Sequence, residues 1–251
     1  MNQEAVKDLL FKMADDALII GHRNSEWTGI GPTLEEDIAF SSMAQDKIGH
    51  AQALYDILHN IFGEENPDRL AFMRNEKELK CCHLVEMPIG DYAFSLVRQF
   101  LFDNAEQLRY TALAGSSFEP LAQLAKKIKG EIKYHVLHGD TWFTQLAKGT
   151  EESRARMQTA LNEAYPLAMG IFEEGPAEAD LISDNIFVGE AELKEAWTKK
   201  VNGIIEGLGL TVPTTNAEDG MGGRKSYHTE FLQPMLDEMT EVFRLDPAAE
   251  W

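Results

Sequence analysis

The sequence predicts an all-α protein: a four-helix bundle with one long crossover, followed by additional C-terminal helices. Three observations carry this. Apolar residues recur at three-and-four spacing through about the first 170 positions, and the breaks between these runs fall in the order short, long, short. Nothing alternates apolar and polar residues for long enough to demand a sheet. That order of connections belongs to a bundle whose second and third helices are joined by a crossover. The 251 residues, 44% of them apolar, suffice for a single domain. Its core bundle is expected over about 3–147 and a helical extension over about 150–251.

The first helix shows Val6, Leu9, Leu10, Met13, Ala17 and Ile20 on one face and is expected to run to about Trp27. Gly29, Gly31 and Pro32 break it. Thr33 with Glu36 three residues later reads as a capping box, opening a second helix that reaches roughly Phe62, so the pair forms a tight antiparallel hairpin. Gly63 to Gly90, with Pro67, Pro88 and dense charge, is too long for an ordinary loop and holds a short helix near Asp68 to Met73. From Tyr92 to about Leu113 the positions Leu96, Phe100, Leu101, Ala105 and Leu108 repeat helically. Gly115 and Ser116 punctuate, and a fourth helix runs from about Pro120 to Leu146. The fifth, Glu151 to Phe172, carries Pro166, which removes a backbone hydrogen bond and should kink the rod or end it early. Gly175 to Gly189 reads as a loop and Glu190 to Glu206 as a helix. Leu210 to Gly223 is an open Pro, Thr and Gly-rich passage, and a last helix spans about Thr229 to Arg244. The ten methionines and thirteen phenylalanines fall at helical spacing and are assigned to packing.

Charge narrows the partners. Twenty-three Lys and Arg against 42 Asp and Glu give a formal charge of -19, a field that repels phosphate backbones and anionic lipid. Neither nucleic acid nor a membrane surface is an expected partner, and no run approaches the roughly 18 apolar residues of a span. The amino terminus lacks the pattern of a secretory signal. The only cysteines, Cys81 and Cys82, are adjacent, a spacing that disulfide frameworks and CxxC metal clips do not use. A reducing cytoplasm is the expected location.

Two short sequences on the second and fourth helices resemble each other: Gln45 to His50 and Gly130 to His135. Each sets an acid, Asp46 or Glu131, four residues before a histidine, so the two side chains share a helix face. Taken alone, such a pair is an ordinary solvated feature. Bundles of this plan, however, house dinuclear iron or manganese centres whose ligands are a Glu from each of two helices and a Glu-x-x-His from each of the other two. Three residues before the seven histidines stand Ile19, Lys47, Asp56, Lys80, Ile132, His135 and Lys225, so the chain contains no Glu-x-x-His. Where the motif matters, before His50 and His135, the bridging carboxylates are replaced by Lys47 and Ile132. The expectation is a metal-free chain. Asp15 and Asp16 lie about as far from the Gly31-Pro32 turn as Lys47 does, which predicts an ion pair of Lys47 with one of them. Asp103 and Glu106 lie at comparable depth in the third helix, opposite His135. A buried lysine with a carboxylate partner avoids the several kcal/mol per ion that unpaired burial costs, by order of magnitude.

Segments spread over almost the whole chain carry a family resemblance. They are Asp15-Asp16 with Gly21 to Trp27, Asp37 through Asp46 to Gln52, Leu84 to Pro88, Phe102-Asp103, Glu131 to His135, Gly222 to Glu230, and Met235 to Met239. The chain resembles the multicomponent phenylacetyl-CoA oxygenase family of ferritin-like bundles, and within it the structural rather than the catalytic members. The resemblance implies a ferritin-like fold and, as partner, a catalytic A subunit. That partner holds a di-iron centre, binds the coenzyme A thioester and epoxidises the aromatic ring with dioxygen. The resemblance implies no cofactor in this chain. Lys47 and Ile132 match positions where the catalytic relative supplies the Glu of each Glu-x-x-His, while His50 and His135 match the retained histidines. Asp103 matches an acidic ligand of the third helix. At the first-helix ligand position the alignment offers Asp16 or Ala17.

Arg224, Lys225 and His228 form a basic spot in a very acidic chain, open to two readings: pairing with acids of a partner or of the last helix, or contact with a coenzyme A phosphate. Packed amphipathic helices predict self-association as well as contact with the catalytic partner, with Trp251 docking on a neighbour. The leading functional expectation is a metal-free subunit supporting a catalytic paralogue. One alternative is an oxygenase-type enzyme with an atypical or mononuclear metal site built from Asp15 or Asp16, His50, Asp103, Glu131 and His135. Another is a stand-alone helical binding module.

Overall fold

A computed structural model of the chain describes residues 1–249. Its helices are α1 (Gln3–Ser25), α2 (Leu34–Phe62), α3 (Pro67–Phe72), α4 (His83–Glu86), α5 (Tyr92–Leu113), α6 (Glu119–Ala147), α7 (Glu151–Ala168), α8 (Glu178–Ser183), α9 (Glu190–Gly207) and α10 (Leu232–Leu245). Among the described residues there is no strand. The chain is all-α, in keeping with a ferritin-like helical bundle. The docking expected of Trp251 lies outside the described residues.

Helix boundaries follow the local chemistry. Thr33 caps α2 by accepting the Glu36 N–H, and Gly63 ends it in the left-handed region at φ 75°. Asp91 caps α5 by accepting the Phe94 N–H. Pro166 acts as expected: α7 ends at Ala168 and continues only as the 3-10 turn Met169–Phe172. Two expectations are corrected. The supposed loop Gly175 to Gly189 contains α8, anchored by buried Leu181 and by Glu178, whose carboxylate accepts the Glu190 N–H at 2.8 Å. The last helix starts at Leu232 rather than Thr229, because the Thr229 N–H and hydroxyl both bind Glu86 at 2.7 Å.

The helices form two compact units, one of Met1–Ala5 with Ile89–Met221, the other of Val6–Pro88 with Gly222 onward. The segment from Gly222 to Phe231, the glycine loop, and α10 lie in the same unit as the first hairpin. In the first of these units α5 is the central rod, packed against α6, α7 and α9. Phe100 stacks on Phe143 at 4.2 Å. Trp197 of α9 is fully buried, lies 5.3 Å from the rings of Tyr165 and Phe172, and donates its indole N–H to the Leu101 carbonyl at 3.0 Å. The start of α9 is fixed by Glu190, which binds Arg109 through both oxygens at 2.6 and 2.8 Å with both side chains buried.

In the other unit the connection between α1 and α2 climbs along α2 instead of turning tightly. Trp27 lies against Phe40 at 6.0 Å, the Thr28 and Ser41 hydroxyls meet at 2.8 Å, and Asp37 accepts the Gly29 N–H at 2.7 Å. This path shifts the register of the hairpin. A Cβ on Gly21 would lie 3.1 Å from the Lys47 Cβ, so Lys47 stands across from Gly21. Asp15 and Asp16 are five or six residues away, roughly 8 Å at 1.5 Å per residue. The expected juxtaposition of Lys47 with Asp15 or Asp16 does not arise from this register.

Removing one partner of a buried ion pair strands the other, at about 3–5 kcal/mol. Arg109→Leu is therefore expected to cost on that order in denaturant unfolding. Arg109→Leu with Glu190→Leu should recover most of it. A double variant as unstable as the single one would contradict this account of the α5 and α9 contact.

Candidate functional site

Asp15 and Asp16 are both buried. Being adjacent, they point about 100° apart around α1. Asp15 accepts the Tyr55 hydroxyl at 2.6 Å, the Lys80 N–H at 2.7 Å and two Arg74 N–H groups at 2.5 and 3.1 Å. Burial works against the charge on Arg74, but Asp15 beside it more than compensates and raises its pKa. Burial, reinforced by Asp15, pushes the Tyr55 phenol well up. Asp16 accepts two Arg224 N–H groups at 2.8 and 2.6 Å and the Cys82 N–H at 2.8 Å. These carboxylates tie the crossover and the glycine loop to α1.

That geometry corrects the reading of Arg224 as a contact for a partner or a coenzyme A phosphate. Its guanidinium is buried on Asp16 and on the Lys80 carbonyl. The side chain of His228 is also buried, leaving Lys225 as the exposed member of the basic spot. Where the sequence offers Lys47 as the cation for Asp15 or Asp16, the structure places Arg74 and Arg224.

The remaining candidate positions fall in both units. On α2, Lys47 is fully buried and His50 nearly so, on the same side as Met43 and Leu54, while Asp46 is half-buried. In the other unit, Asp103 and Glu106 of α5 and Ile132 and His135 of α6 are buried, and Glu131 is half-buried. The Nδ1 of His135 lies 3.8 Å from Asp103, whose other oxygen accepts from the Gln99 amide. A dinuclear centre needs carboxylates that bridge two cations, and this donor set does not fit one. The ammonium of Lys47 has no lone pair to give a metal, and the aliphatic Ile132 has no donor atom.

One cluster was not foreseen. Glu86, at the end of α4, is fully buried. Its Oε2 accepts the Thr229 N–H and hydroxyl, both at 2.7 Å. Its Oε1 lies 2.8 Å from His228 Nδ1 and 3.6 Å from Cys81 Sγ, and Sγ lies 4.0 Å from Nδ1. The Leu79 carbonyl holds His228 Nε2 at 3.1 Å, and Arg23 donates to the Glu86 carbonyl at 3.1 and 2.8 Å. Gly223 makes this packing possible, since a Cβ there would lie 2.2 Å from the Cys81 carbonyl oxygen. The available signal was the acid in Leu84-Val85-Glu86-Met87-Pro88, because a carboxylate inside an apolar run must find donors if the run is buried.

The helical bundle, with carboxylates and imidazoles on its inner faces, defines the class. The sequence matches the profile of the phenylacetic acid catabolic protein family over residues 1–251. It is 32% identical over 251 residues, covering all of both chains, to the C subunit of 1,2-phenylacetyl-CoA epoxidase from Escherichia coli (strain K12). It is also 26% identical over 193 residues to the A subunit of the same epoxidase, covering 74% of this chain and 62% of that one. The chain belongs to the phenylacetic acid catabolic protein family.

Burial first, then Glu86 for Cys81 and Asp16 for Cys82, push both thiols well above the ordinary value of about 8.5. A raised folded-state pKa gives stability that is complete below the unfolded value and is lost as pH rises beyond it. In the presence of a chelator the native chain should therefore react with a thiol reagent at pH 8 only at its opening rate, and the urea midpoint should fall as pH rises above about 8.5. Rapid labelling of two thiols in the native chain would contradict this placement.

Proposed function

We propose that the chain is a non-catalytic subunit of a phenylacetyl-CoA ring-epoxidising oxygenase, supporting a di-iron catalytic subunit in phenylacetate catabolism. The single observation carrying this reading is the burial of Lys47 and Ile132, each three residues before a buried histidine, where a metal-binding relative needs carboxylates. Full-length similarity to an epoxidase C subunit, with partial similarity to the A subunit, supports a diverged copy working beside a catalytic one. The catalytic partner supplies the oxygen chemistry, and this chain supplies shape and surface. Exposed Leu34 and Ile38 on α2 and Tyr134 and Leu137 on α6 offer apolar area for such a partner or for a second copy. No helix among the described residues is long and apolar enough to cross a membrane, and both cysteines are free, which agrees with work in the cytoplasm.

A second reading, an enzyme with its own mononuclear site, draws on the closeness of Asp103 and His135. One experiment separates the two. The chain is expressed alone and together with a homologue of the A subunit from its own source, and each preparation is given ferrous iron, a reductase and phenylacetyl-CoA. The proposal expects a stable complex on size exclusion, with dioxygen and thioester consumed only when the partner is present. Turnover by this chain alone, or failure to form the complex, overturns it.

A further inference from the structure

We propose that Cys81, Glu86 and His228 form a binding site for a divalent transition-metal ion of the zinc class, with no donor among the positions compared with the catalytic relative (Lys47, His50, Asp103, Ile132 and His135). The three donors are a sulfur, an oxygen and a nitrogen from the end of the crossover, α4 and the glycine loop, and all three side chains are buried. Their separations are 3.6 Å for sulfur to oxygen, 4.0 Å for sulfur to nitrogen and 2.8 Å for nitrogen to oxygen. Tetrahedral zinc with ordinary bond lengths sets such edges at about 3.3–3.6 Å. Shifts of about half an ångström convert one arrangement into the other.

The surroundings hold each donor toward the same point. The Leu79 carbonyl fixes the Nε2 of His228, which turns Nδ1 inward, the outer hydrogen bond that metal-bound histidines usually make. Thr229 engages Oε2 of Glu86 twice and leaves Oε1 facing the other two donors. A thiolate with an imidazole favours zinc over magnesium or calcium, which prefer all-oxygen sites.

Charge makes the exchange feasible in a buried place. With a divalent ion the cluster becomes a thiolate, a carboxylate and a neutral imidazole around two positive charges, a set with no net charge. Binding takes the proton from Sγ, so it releases protons and strengthens as pH rises. Zinc is not redox active, so the site ties crossover to glycine loop and adds no oxygen chemistry. The inference stands whether or not the proposed function does.

The test uses the untagged full chain, stripped with a chelator and titrated with zinc against a chromophoric competitor, then with cobalt(II). The expected results are one equivalent of zinc, affinity that rises with pH, a thiolate-to-cobalt charge-transfer band, and a higher melting temperature. Cys81→Ser should abolish the band and weaken zinc by more than the roughly 10–100-fold that loss of an outer hydrogen bond costs. Cys82→Ser should leave both unchanged. Less than half an equivalent bound, no thiolate band, or equal affinity in Cys81→Ser would overturn the proposal. Should Cys81→Ser fail to fold, His228→Gln replaces it, with the same two outcomes deciding.

Discussion

A carboxylate entering a dry interior must bring a cation or several donors with it, because an unpaired buried ion costs several kcal/mol, by order of magnitude. In this very acidic chain that requirement falls on Asp15, Asp16, Glu86 and Glu190, all buried. Each finds its partner far along the sequence: Arg74, Arg224, His228 and Arg109, at separations of 59, 208, 142 and 81 positions. Apolar contacts among helices tolerate many registers. A two-point bond between a guanidinium and a carboxylate tolerates very few. The segments without helical periodicity, the crossover and the glycine loop, are therefore placed by charge: each delivers an arginine to a carboxylate of α1.

Helices long enough to repeat their apolar positions were legible in the sequence, and α5 spans the predicted Tyr92 to Leu113 because a side-chain cap begins it where the periodicity does. The six-residue α8 was not legible, since it makes less than two turns and shows no repeat. Nor was the register of the first hairpin. It depends on Glu26 to Thr33 running along α2, held by Asp37 accepting backbone N–H groups of Gly29 and Gly31, a tertiary fact that turn residues do not announce. For that reason Lys47 stands across from Gly21 rather than level with Asp15 and Asp16.

The candidate site was legible where it depended on residue identity at one helical position. Lys47 and Ile132 stand three residues before a histidine, and both prove buried, as spacing on one face requires. The Cys81, Glu86 and His228 cluster escaped because His228 lies 142 positions from Glu86 and no spacing links it to the other two. Arg224 was misread for a related reason: a basic residue after a glycine loop looks solvent-facing until its carboxylate is found on another helix.

The two substitutions also answer an electrostatic question. A dinuclear bundle balances its inward carboxylates with two divalent ions, about four positive charges. Compared with such a bundle, a lysine in place of a glutamate at position 47 supplies two units of positive charge, and an isoleucine in place of one at position 132 supplies a third. On the proposed function, each change lowers the need for metal charge in its own unit: the lysine adds a cation, and the isoleucine removes an anion, relative to such a bundle.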